Sequence, residues 1–200
     1  MFARWGGLAL LCLIPAQRAQ AVFNGGVEMN SKSLRDLQAP FKERYKSEPE
    51  AALIRLEAKG NIDESEIACT VESSNAMVEA GLHPSTGGTG LQACSGDMLL
   101  EALCACAGVT LRAVATALEI PVEEGSVCAS GTVDMRGTLG VASEASVGFK
   151  NIDLTFDLKT EATEEELALL IKLTERYCVV LQTLTCSPKL TVNQSSSAAA

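Results

Sequence analysis

One apolar segment, DMLLEALCACAGVTLRAVATAL at residues 97–118, constrains the fold more than any other part of the sequence. Only Asp97, Glu101 and Arg112 carry charge within it, and it is long enough for about six turns of α-helix. Ser95 stands where an N-cap residue would begin that helix. Because a helix with so little polar surface must be covered by the rest of its domain, the segment predicts a buried central helix.

The size and charge of the chain limit its class. Its 200 residues, 47% of them hydrophobic, suffice for one domain with a substantial core and leave little room for a second. The formal net charge is −9, and loss of a leader with two arginines would make the chain still more acidic. No segment is basic enough to bind nucleic acid or anionic lipid. The sequence therefore indicates one acidic globular domain.

The first 28 residues have the composition of a targeting leader. A basic residue precedes a short apolar run, and Ala19 and Ala21 satisfy the small-x-small rule of signal peptidase. The run is too short to cross a bilayer, so we expect a leader at residues 1–21, cleaved after Ala21, and no membrane span. The chain would enter the secretory pathway and be secreted. Two further destinations stay open: a plastid reached through that pathway, which the early Phe23 suits, and a mitochondrion.

The sequence pattern changes twice between the leader and the central segment. Residues 33–45 carry apolar side chains at helical spacing, but Pro40 interrupts them, which predicts a short helix or two half-helices. Apolar and polar residues then alternate over residues 54–72, which predicts a β-hairpin with its turn near Gly60. Residues 81–96 form a glycine-rich loop that lacks the GxxxxGK[ST] motif of a phosphate-binding loop.

The C-terminal half predicts two strands and a helix. Residues 127–135 and 151–158 have β-strand patterns, and the second run alternates strictly. Thr163 and the three glutamates that follow it form a capping box. From Leu167, apolar residues recur at helical intervals as far as Cys178, which therefore points toward the core.

The last residues mark the end of the domain. KLTV at residues 189–192 predicts a short strand, and the small polar tail at residues 193–200 predicts disorder. Asn193 begins a glycosylation sequon, which matters only if the chain passes through the secretory route. We expect one domain over residues 29–192, and Met29 could begin a shorter form without the leader.

The cysteines and the single histidine limit the chemistry of any site. The chain has eight cysteines, and removal of a leader that contains Cys12 leaves seven, an odd number that cannot all pair within one chain. The spacing lacks CxxC pairs, and His83 alone cannot complete a CxxC…HxxxH finger, so we expect no metal site. Most of the thiols are predicted to be small buried groups or free thiols, and these include Cys69, Cys94, Cys128 and Cys186. Cys186 or Cys104 stays open as an alternative disulfide partner.

Cys104 and Cys106 lie two residues apart in the central segment. Neighbouring residues of an α-helix are turned by about 100°, so these two side chains project about 200° apart and cannot form a disulfide with each other. One of them should instead face a cysteine from elsewhere. The other cysteine on an apolar helical stripe is Cys178.

Two cysteine segments resemble those of the OsmC/Ohr proteins, which are thiol-dependent peroxidases. They read CSGDMLLEALCACAGVTLRAVA at residues 94–115 and TERYCVVLQTL at residues 174–184, in the order found in the family. The resemblance extends from about Ser33 to Val192 and includes the GLHPSTGG loop. It is closest to the OsmC-like branch, whose members carry a GDMLLEAL helix start and an ERYCVV segment.

The resemblance implies a fold, a reaction and partners. The fold is α+β, with antiparallel sheets around a long buried central helix in an intertwined homodimer. Cys106 corresponds to the cysteine that a hydroperoxide oxidises to a sulfenic acid, and Cys178 to the one that condenses with it to a disulfide. The process would serve defence against oxidative stress. No bound cofactor is implied, since in the family an external dithiol, such as lipoamide on a lipoylated protein partner, resets the disulfide.

The apolar surroundings of Cys106 favour one class of substrate. Cys106 shares its helix face with Leu99, Leu103 and Thr110. Such a lining suits alkyl or fatty-acid hydroperoxides better than hydrogen peroxide.

The charges that activate the thiol in well-studied family members are not in place. Those members hold the thiolate with an arginine, and a glutamate ahead of the first cysteine orients that arginine. The glutamate position is Gly96 here, the nearest acid is Asp97, and GLHPSTGG contains no arginine. His83 is a candidate substitute, while Arg112 and Arg176 point to other faces of their helices.

Two functions from different classes stay open. One is reduction of organic hydroperoxides by a cycle of Cys106 and Cys178, and the other is a non-catalytic, redox-sensing or small-molecule-binding dimer of the same fold. A low pKa of Cys106 would favour the enzyme. A secreted protein would meet an oxidising medium that holds the two cysteines as a disulfide, which favours an organelle as the destination.

Overall fold

The computed structural model describes residues 29–55, 58–62, 68–72 and 77–195. The predicted leader and the last five residues of the predicted tail lie outside them. Within the described residues the chain forms two mainly antiparallel sheets and five α-helices, with one long helix at the centre. The predicted α+β architecture is therefore confirmed.

Helix α1 spans Ser31–Ser47 and runs without a break through Pro40. The prediction of a short helix or two half-helices was wrong. Pro40 is exposed, so the backbone carbonyl of Asp36, which loses its helical partner, faces solvent and is not stranded in the core. Asn30 caps the helix, since its side-chain oxygen accepts a hydrogen bond from the Ser33 N–H at 2.9 Å.

The first sheet has four strands in the order β1-β2-β3-β4. The first three pair antiparallel, and the two-residue β4 pairs parallel with β3. The strands are β1 at Lys59–Ile62, β2 at Ala68–Glu72, β3 at Met77–Gly81 and β4 at Ala93–Cys94.

The predicted hairpin exists, but its position was wrong. Gly60 lies inside β1, opposite Val71, and is not a turn residue. Residues 54 and 55, which were expected to begin the hairpin, form no strand. The turn signal of a glycine followed by asparagine is local, and the pairing with β2 overrides it.

The predicted central helix is confirmed as α2, Ser95–Leu118. It begins two residues earlier than expected, and Cys94, not Ser95, occupies the cap position, without a side-chain hydrogen bond. Glu119 adopts a left-handed conformation with φ 59° and ends the helix. One face of α2 is buried along a spacing of four residues. Its members are Leu103, Ala107, Leu111 and Ala115.

The second sheet consists of β5, Glu124–Val133, and β6, Phe149–Lys159, which pair antiparallel. Both predicted strands exist and begin earlier than expected. The predicted end of the first strand at residue 135 was wrong, because Asp134 caps the helix that begins at Met135. A short helix, α3 at Met135–Thr138, lies in the connection between them. Helix α2 packs against β5, so this sheet covers one side of the central helix.

Helix α4, Glu164–Tyr177, begins at the predicted capping box, which is confirmed. The Thr163 hydroxyl accepts a hydrogen bond from the Glu166 N–H at 3.2 Å, and the Glu166 carboxylate accepts one from the Thr163 N–H at 2.8 Å. Helix α5, Val179–Thr185, follows directly after Cys178. Both helices pack against α2.

Residues 187–195 have no regular secondary structure, so the predicted strand at residues 189–192 was wrong. A strand persists only where a neighbouring strand supplies hydrogen bonds, and neither sheet of the described residues pairs with this segment.

Two apolar clusters form the core. One lies near the C-terminal half of α2 and the other near its N-terminal half. The first contains Leu111, Ala115, Ile120, Val122 and Leu170, and the second contains Leu103, Ala107 and Cys178. Along α2 the chain passes the second cluster and then the first, whereas from α4 to Cys178 it passes the first and then the second. Helices α2 and α4 therefore run antiparallel.

Among the described helices, α2 is the one that is long and apolar enough to cross a membrane. It packs against β5, α4, α5 and α1, and it supplies buried residues to both clusters. This packing identifies α2 as the core helix of the domain.

Gly131 on β5 tests how tightly β5 and β6 pack. A Cβ atom at Gly131 would lie 2.6 Å from a ring carbon of Phe149 and 2.9 Å from the carbonyl oxygen of Asn151. We expect Gly131→Ala to lower the free energy of unfolding by about 1–3 kcal/mol, measured by urea denaturation. Gly148→Ala is the control, because its Cβ would meet no atom within 4 Å. Equal effects of the two substitutions would contradict this account.

Candidate active site

The structure brings Cys106 and Cys178 together. Cys106 lies on α2 and is partly exposed, whereas Cys178 lies between α4 and α5 and is fully buried. The two thiols are not joined by a disulfide, and the Cys178 S–H donates a hydrogen bond to the Cys106 sulfur. Cys104 is also partly buried, on another face of α2. Of the two neighbouring cysteines, Cys106 is therefore the one that meets Cys178.

Cys178 is the point where the chain leaves one helix and starts another. Its φ of −72° and ψ of 106° are extended, not helical. Its N–H still bonds to the Thr174 carbonyl at 2.9 Å, and its own carbonyl accepts the Gln182 N–H at 2.9 Å. The first N–H groups of α5, at Val179 and Val180, therefore have no helical partner, and they lower the pKa of the Cys106 thiol.

The pKa of the Cys106 thiol lies below its ordinary value. Burial acts most strongly and raises it, because it disfavours the thiolate. Four hydrogen bonds act in the opposite direction and together outweigh burial. In order of effect, they come from the Val180 N–H, the Cys178 thiol, the Val179 N–H and the Thr110 hydroxyl. Cys106 is therefore the member of the pair that ionises.

The pKa of the Cys178 thiol is raised. Burial is the main cause, and the hydrogen bond to Cys106 and the charge of the Cys106 thiolate add to it, against the N–H groups of Leu181 and Val180. The environment thus separates the two thiols, so that one is ready to attack as a thiolate while the other stays protonated and donates a hydrogen bond.

An apolar groove lies next to the cluster that contains Cys178, although neither Cys106 nor Cys178 lines it. It has a volume of about 500 Å³ and lies between α2, β6 and α5. Leu103 and Leu181 line it and also pack in the cluster that contains Cys178. The remaining lining residues are Leu99, Gly148, Phe149, Asn151, Ile152, Leu154, Leu184 and Thr185. The predicted apolar surroundings of Cys106 are thus present, and the groove could hold a hydrocarbon group beside the cluster that contains Cys178.

His83 and Asp97 lie elsewhere. The Nδ1 of His83 accepts a hydrogen bond from the Ser85 N–H at 3.0 Å, and the residue lines a separate cavity of about 250 Å³ together with Cys94 and Gly96. Asp97 is exposed on the first turn of α2. Neither is among the groups that act most strongly on the Cys106 thiol. A role for either residue in thiolate support stays a prediction.

Arg112 and Arg176 were expected to point away from the two thiols, and both make contacts elsewhere. Arg112 donates a hydrogen bond from Nη1 to the Val122 carbonyl at 3.0 Å, and Arg176 lies over the Tyr177 ring, 5.7 Å from its centre. The groups that most strongly favour the Cys106 thiolate are neutral donors, and none of them is a cation.

The amide donors at Val179 and Val180 were not foreseen from the sequence. The apolar stripe of α4 was followed only as far as Cys178, so it predicted no second helix beginning at the next residue. The available signal was weak: two β-branched residues follow Cys178, and such residues restrict the side chain in a helix.

Two comparisons with known proteins bear on the family. The sequence profile of the OsmC-like proteins matches residues 88–193, just over half of the chain, and this range includes Cys106 and Cys178. A search of curated proteins gave no significant match.

Solved structures share the fold at low identity. An OsmC-like protein from Mycoplasma pneumoniae has a TM-score of 0.56 and 19% identity, over 67% of this chain and 89% of its own. An organic hydroperoxide resistance protein from Elizabethkingia anophelis has a TM-score of 0.54 and 18% identity, over 68% and 91%. One from Legionella pneumophila has a TM-score of 0.52 and 16% identity, over 67% and 91%.

The TM-scores show that these proteins and this chain share a fold. The resemblance of the two cysteine segments is confirmed by the profile match, which spans both of them. By its sequence profile, and in agreement with its fold, the chain belongs to the OsmC-like protein family.

Proposed function

We propose that this protein reduces organic hydroperoxides through a cycle of Cys106 and Cys178. The observation that carries the proposal is the pairing itself: a thiol with a lowered pKa is hydrogen-bonded to a buried thiol with a raised pKa. An attacking thiolate and a resolving thiol are the two parts that such a cycle requires.

The chemistry balances with these two residues. The Cys106 thiolate attacks one oxygen of the hydroperoxide, the O–O bond breaks, and the alkoxide takes a proton to leave as an alcohol. Cys106 becomes a sulfenic acid. The Cys178 sulfur then attacks the Cys106 sulfur, and the sulfenic hydroxyl leaves with the Cys178 proton as water. An external dithiol, oxidised to its own disulfide, returns both residues to thiols.

The groove supports an organic substrate. It shares Leu103 and Leu181 with the cluster that contains Cys178, and it is lined mostly by leucine, isoleucine and phenylalanine side chains. Burial of an alkyl group there would be favoured in proportion to the apolar area removed from water, and hydrogen peroxide would gain nothing from it. Two proteins of this fold are named organic hydroperoxide resistance proteins, which agrees with this substrate class.

The reductant is proposed to be a dithiol of the lipoamide type, carried by a protein partner. Cys178 is fully buried and Cys106 is partly exposed, so a dithiol would reach the Cys106 sulfur first. Because an extracellular medium would not supply such a dithiol, we favour an organelle over the exterior as the working compartment.

A redox-sensing or ligand-binding protein without turnover is the second candidate. One observation favours it: the groups that act most strongly on Cys106 include no cation, and Arg112 and Arg176 are engaged elsewhere. A sensor needs an oxidisable thiol pair but not rapid attack on a hydroperoxide. Turnover therefore separates the two candidates.

We infer that the chain acts as a homodimer. The most apolar 18-residue window of α2 is only 22% buried within one chain. Opposite its buried face, α2 exposes an apolar stripe of Ala102, Ala105 and Val109, with Val109 73% exposed. Small residues allow close approach of a second helix, and a second copy would remove this stripe from water.

A turnover assay tests the proposed reaction. Consumption of cumene hydroperoxide, with dihydrolipoamide as reductant, should fall to the uncatalysed background in Cys106→Ser, because the attacking thiolate is gone. In Cys178→Ser, a sulfenic acid on Cys106 should persist and be trapped by dimedone. Cys186→Ser is the control, since Cys186 is exposed and lies outside the thiol pair. Absence of turnover in the unaltered protein would refute the enzyme and leave the sensor.

The pH dependence of alkylation tests the thiol environment. Iodoacetamide reacts with the thiolate, so a lowered pKa means that Cys106 stays reactive at pH values below the ordinary midpoint of a thiol. Cys178→Ala removes one donor and should move the midpoint upward. Cys94→Ala should leave it in place. A midpoint that does not respond to Cys178→Ala would show that the hydrogen bond between the thiols has no effect.

The oligomeric state tests the exposed stripe. Light scattering should give about twice the chain mass of 21.0 kDa for the unaltered protein. Val109→Lys should shift the dimer toward the monomer, because a lysine there would have to be buried without a partner. Val141→Lys is the matched control, since Val141 is 72% exposed in a loop. A monomer before any substitution would contradict the inference.

A further inference from the structure

Threonines in the helices of this protein normally satisfy their hydroxyl groups within the helix. Three of them donate to the carbonyl four residues earlier. Thr116 bonds to the Arg112 oxygen at 2.8 Å, Thr183 to the Val179 oxygen at 2.8 Å and Thr185 to the Leu181 oxygen at 3.0 Å. This is the ordinary arrangement for a helical threonine.

Thr174 on α4 departs from this arrangement. It is 1% exposed, and its hydroxyl makes no hydrogen bond with any described residue. An unpaired buried hydroxyl destabilises a protein, and a valine would fill nearly the same volume without that cost. Packing alone therefore does not account for an oxygen at this position.

The position of Thr174 points to the thiol pair. Thr174 precedes Cys178 by one turn, and its carbonyl accepts the Cys178 N–H at 2.9 Å, so the two side chains share a helix face. It lies between Leu170, in one apolar cluster, and Cys178, in the other. The residues of both clusters have hydrocarbon side chains apart from Cys178 and Cys106. Apart from backbone carbonyls such as that of Leu170, to which the Thr174 hydroxyl does not bond, these two sulfur atoms are the acceptors among the side chains of the two clusters.

In the reduced protein, the Cys178 sulfur carries no negative charge that a hydrogen-bond donor would have to stabilise. It is protonated and donates its own hydrogen bond to Cys106. This changes once Cys106 has been oxidised, because the Cys106 thiolate that accepted the bond is gone. Cys178 must then act as a nucleophile, and negative charge develops on its sulfur as its proton leaves.

We propose that the Thr174 hydroxyl donates a hydrogen bond to the Cys178 sulfur during this resolving attack. The inference deepens the proposed cycle and rests on it in one respect, that Cys106 is oxidised before Cys178 reacts. Thr174 takes up and releases no proton. In the step itself the S–S bond forms between Cys178 and Cys106, and the group on Cys106 leaves with the Cys178 proton.

The test separates this step from reaction with a hydroperoxide. The aromatic disulfide DTNB reacts with the Cys106 thiolate, releases one thionitrobenzoate and leaves a second attached to Cys106. Attack by Cys178 then releases the second one. This second release is assigned to Cys178 by its absence in Cys178→Ser. A parallel experiment uses cumene hydroperoxide and follows the disulfide between Cys106 and Cys178 by mass spectrometry.

Thr174→Val should slow the second release by about tenfold, the loss expected for one hydrogen bond to a charged group. The first release should be unchanged, because Thr174 is not among the main groups acting on Cys106. The thermal midpoint of the reduced protein should rise or stay constant, since an unpaired hydroxyl has been removed. Thr174→Ser should restore the rate. Thr116→Val, in which a bonded hydroxyl is lost away from the thiols, should leave the rate unchanged.

A second release at the unaltered rate in Thr174→Val would overturn the inference. So would a slow release that Thr174→Ser does not restore, because the effect would then belong to packing. If Thr174→Val folds poorly, Thr174→Ala must slow the same step to support the inference. A slowed release from DTNB, together with no oxidation of Cys106 by the hydroperoxide, would support the role of Thr174 and refute the proposed peroxidase.

Discussion

The site depends on the interruption of one helix at Cys178. If α4 continued through this residue, the N–H groups of Val179 and Val180 would bond to the carbonyls of Glu175 and Arg176. They would then be unavailable to sulfur. The extended conformation of Cys178 leaves them free to act on Cys106, while its own N–H still bonds to the Thr174 carbonyl and its side chain is fully buried. Cys178 thus supplies the second thiol, and its backbone conformation makes the N–H groups of the next two residues available to the first thiol.

In this arrangement, backbone N–H dipoles act on the Cys106 thiol in place of a positively charged side chain. An arginine beside a buried thiolate is itself costly to bury and needs a carboxylate to hold it. Here the glutamate position holds Gly96, whose Cβ would contact the Phe149 ring and the Cys94 sulfur at 3.6 Å. The start of a helix presents fixed N–H groups that favour an anion without bringing in a second charge. Residue 96 carries no carboxylate, and the described groups that act most strongly on Cys106 include no cation, so these two observations agree.

The features that were predictable from the sequence are those governed by a regular period. The helical period predicted that Cys178 points inward and that Cys104 and Cys106 lie on different faces of their helix. The capping box predicted where α4 begins. Features decided by nonlocal pairing were missed. Gly60 entered a strand because β2 pairs with it, and the KLTV segment formed none because no neighbour does. The break after Cys178 was hidden because the apolar stripe does not record the backbone angle of a single residue.

Helix α5 has only seven residues, and its inner face packs through Val180, Leu181 and Leu184. Isolated helices of this length are unstable, so α5 persists because of that packing. A local opening of α5 would remove both amide donors from Cys106 and uncover Cys178 in the same event. Reactivity and accessibility of the thiols would then be opposed: the closed state would favour the nucleophile of the proposed cycle, and the open state would admit its proposed reductant. The two halves of the proposed cycle would then draw on different members of one conformational ensemble.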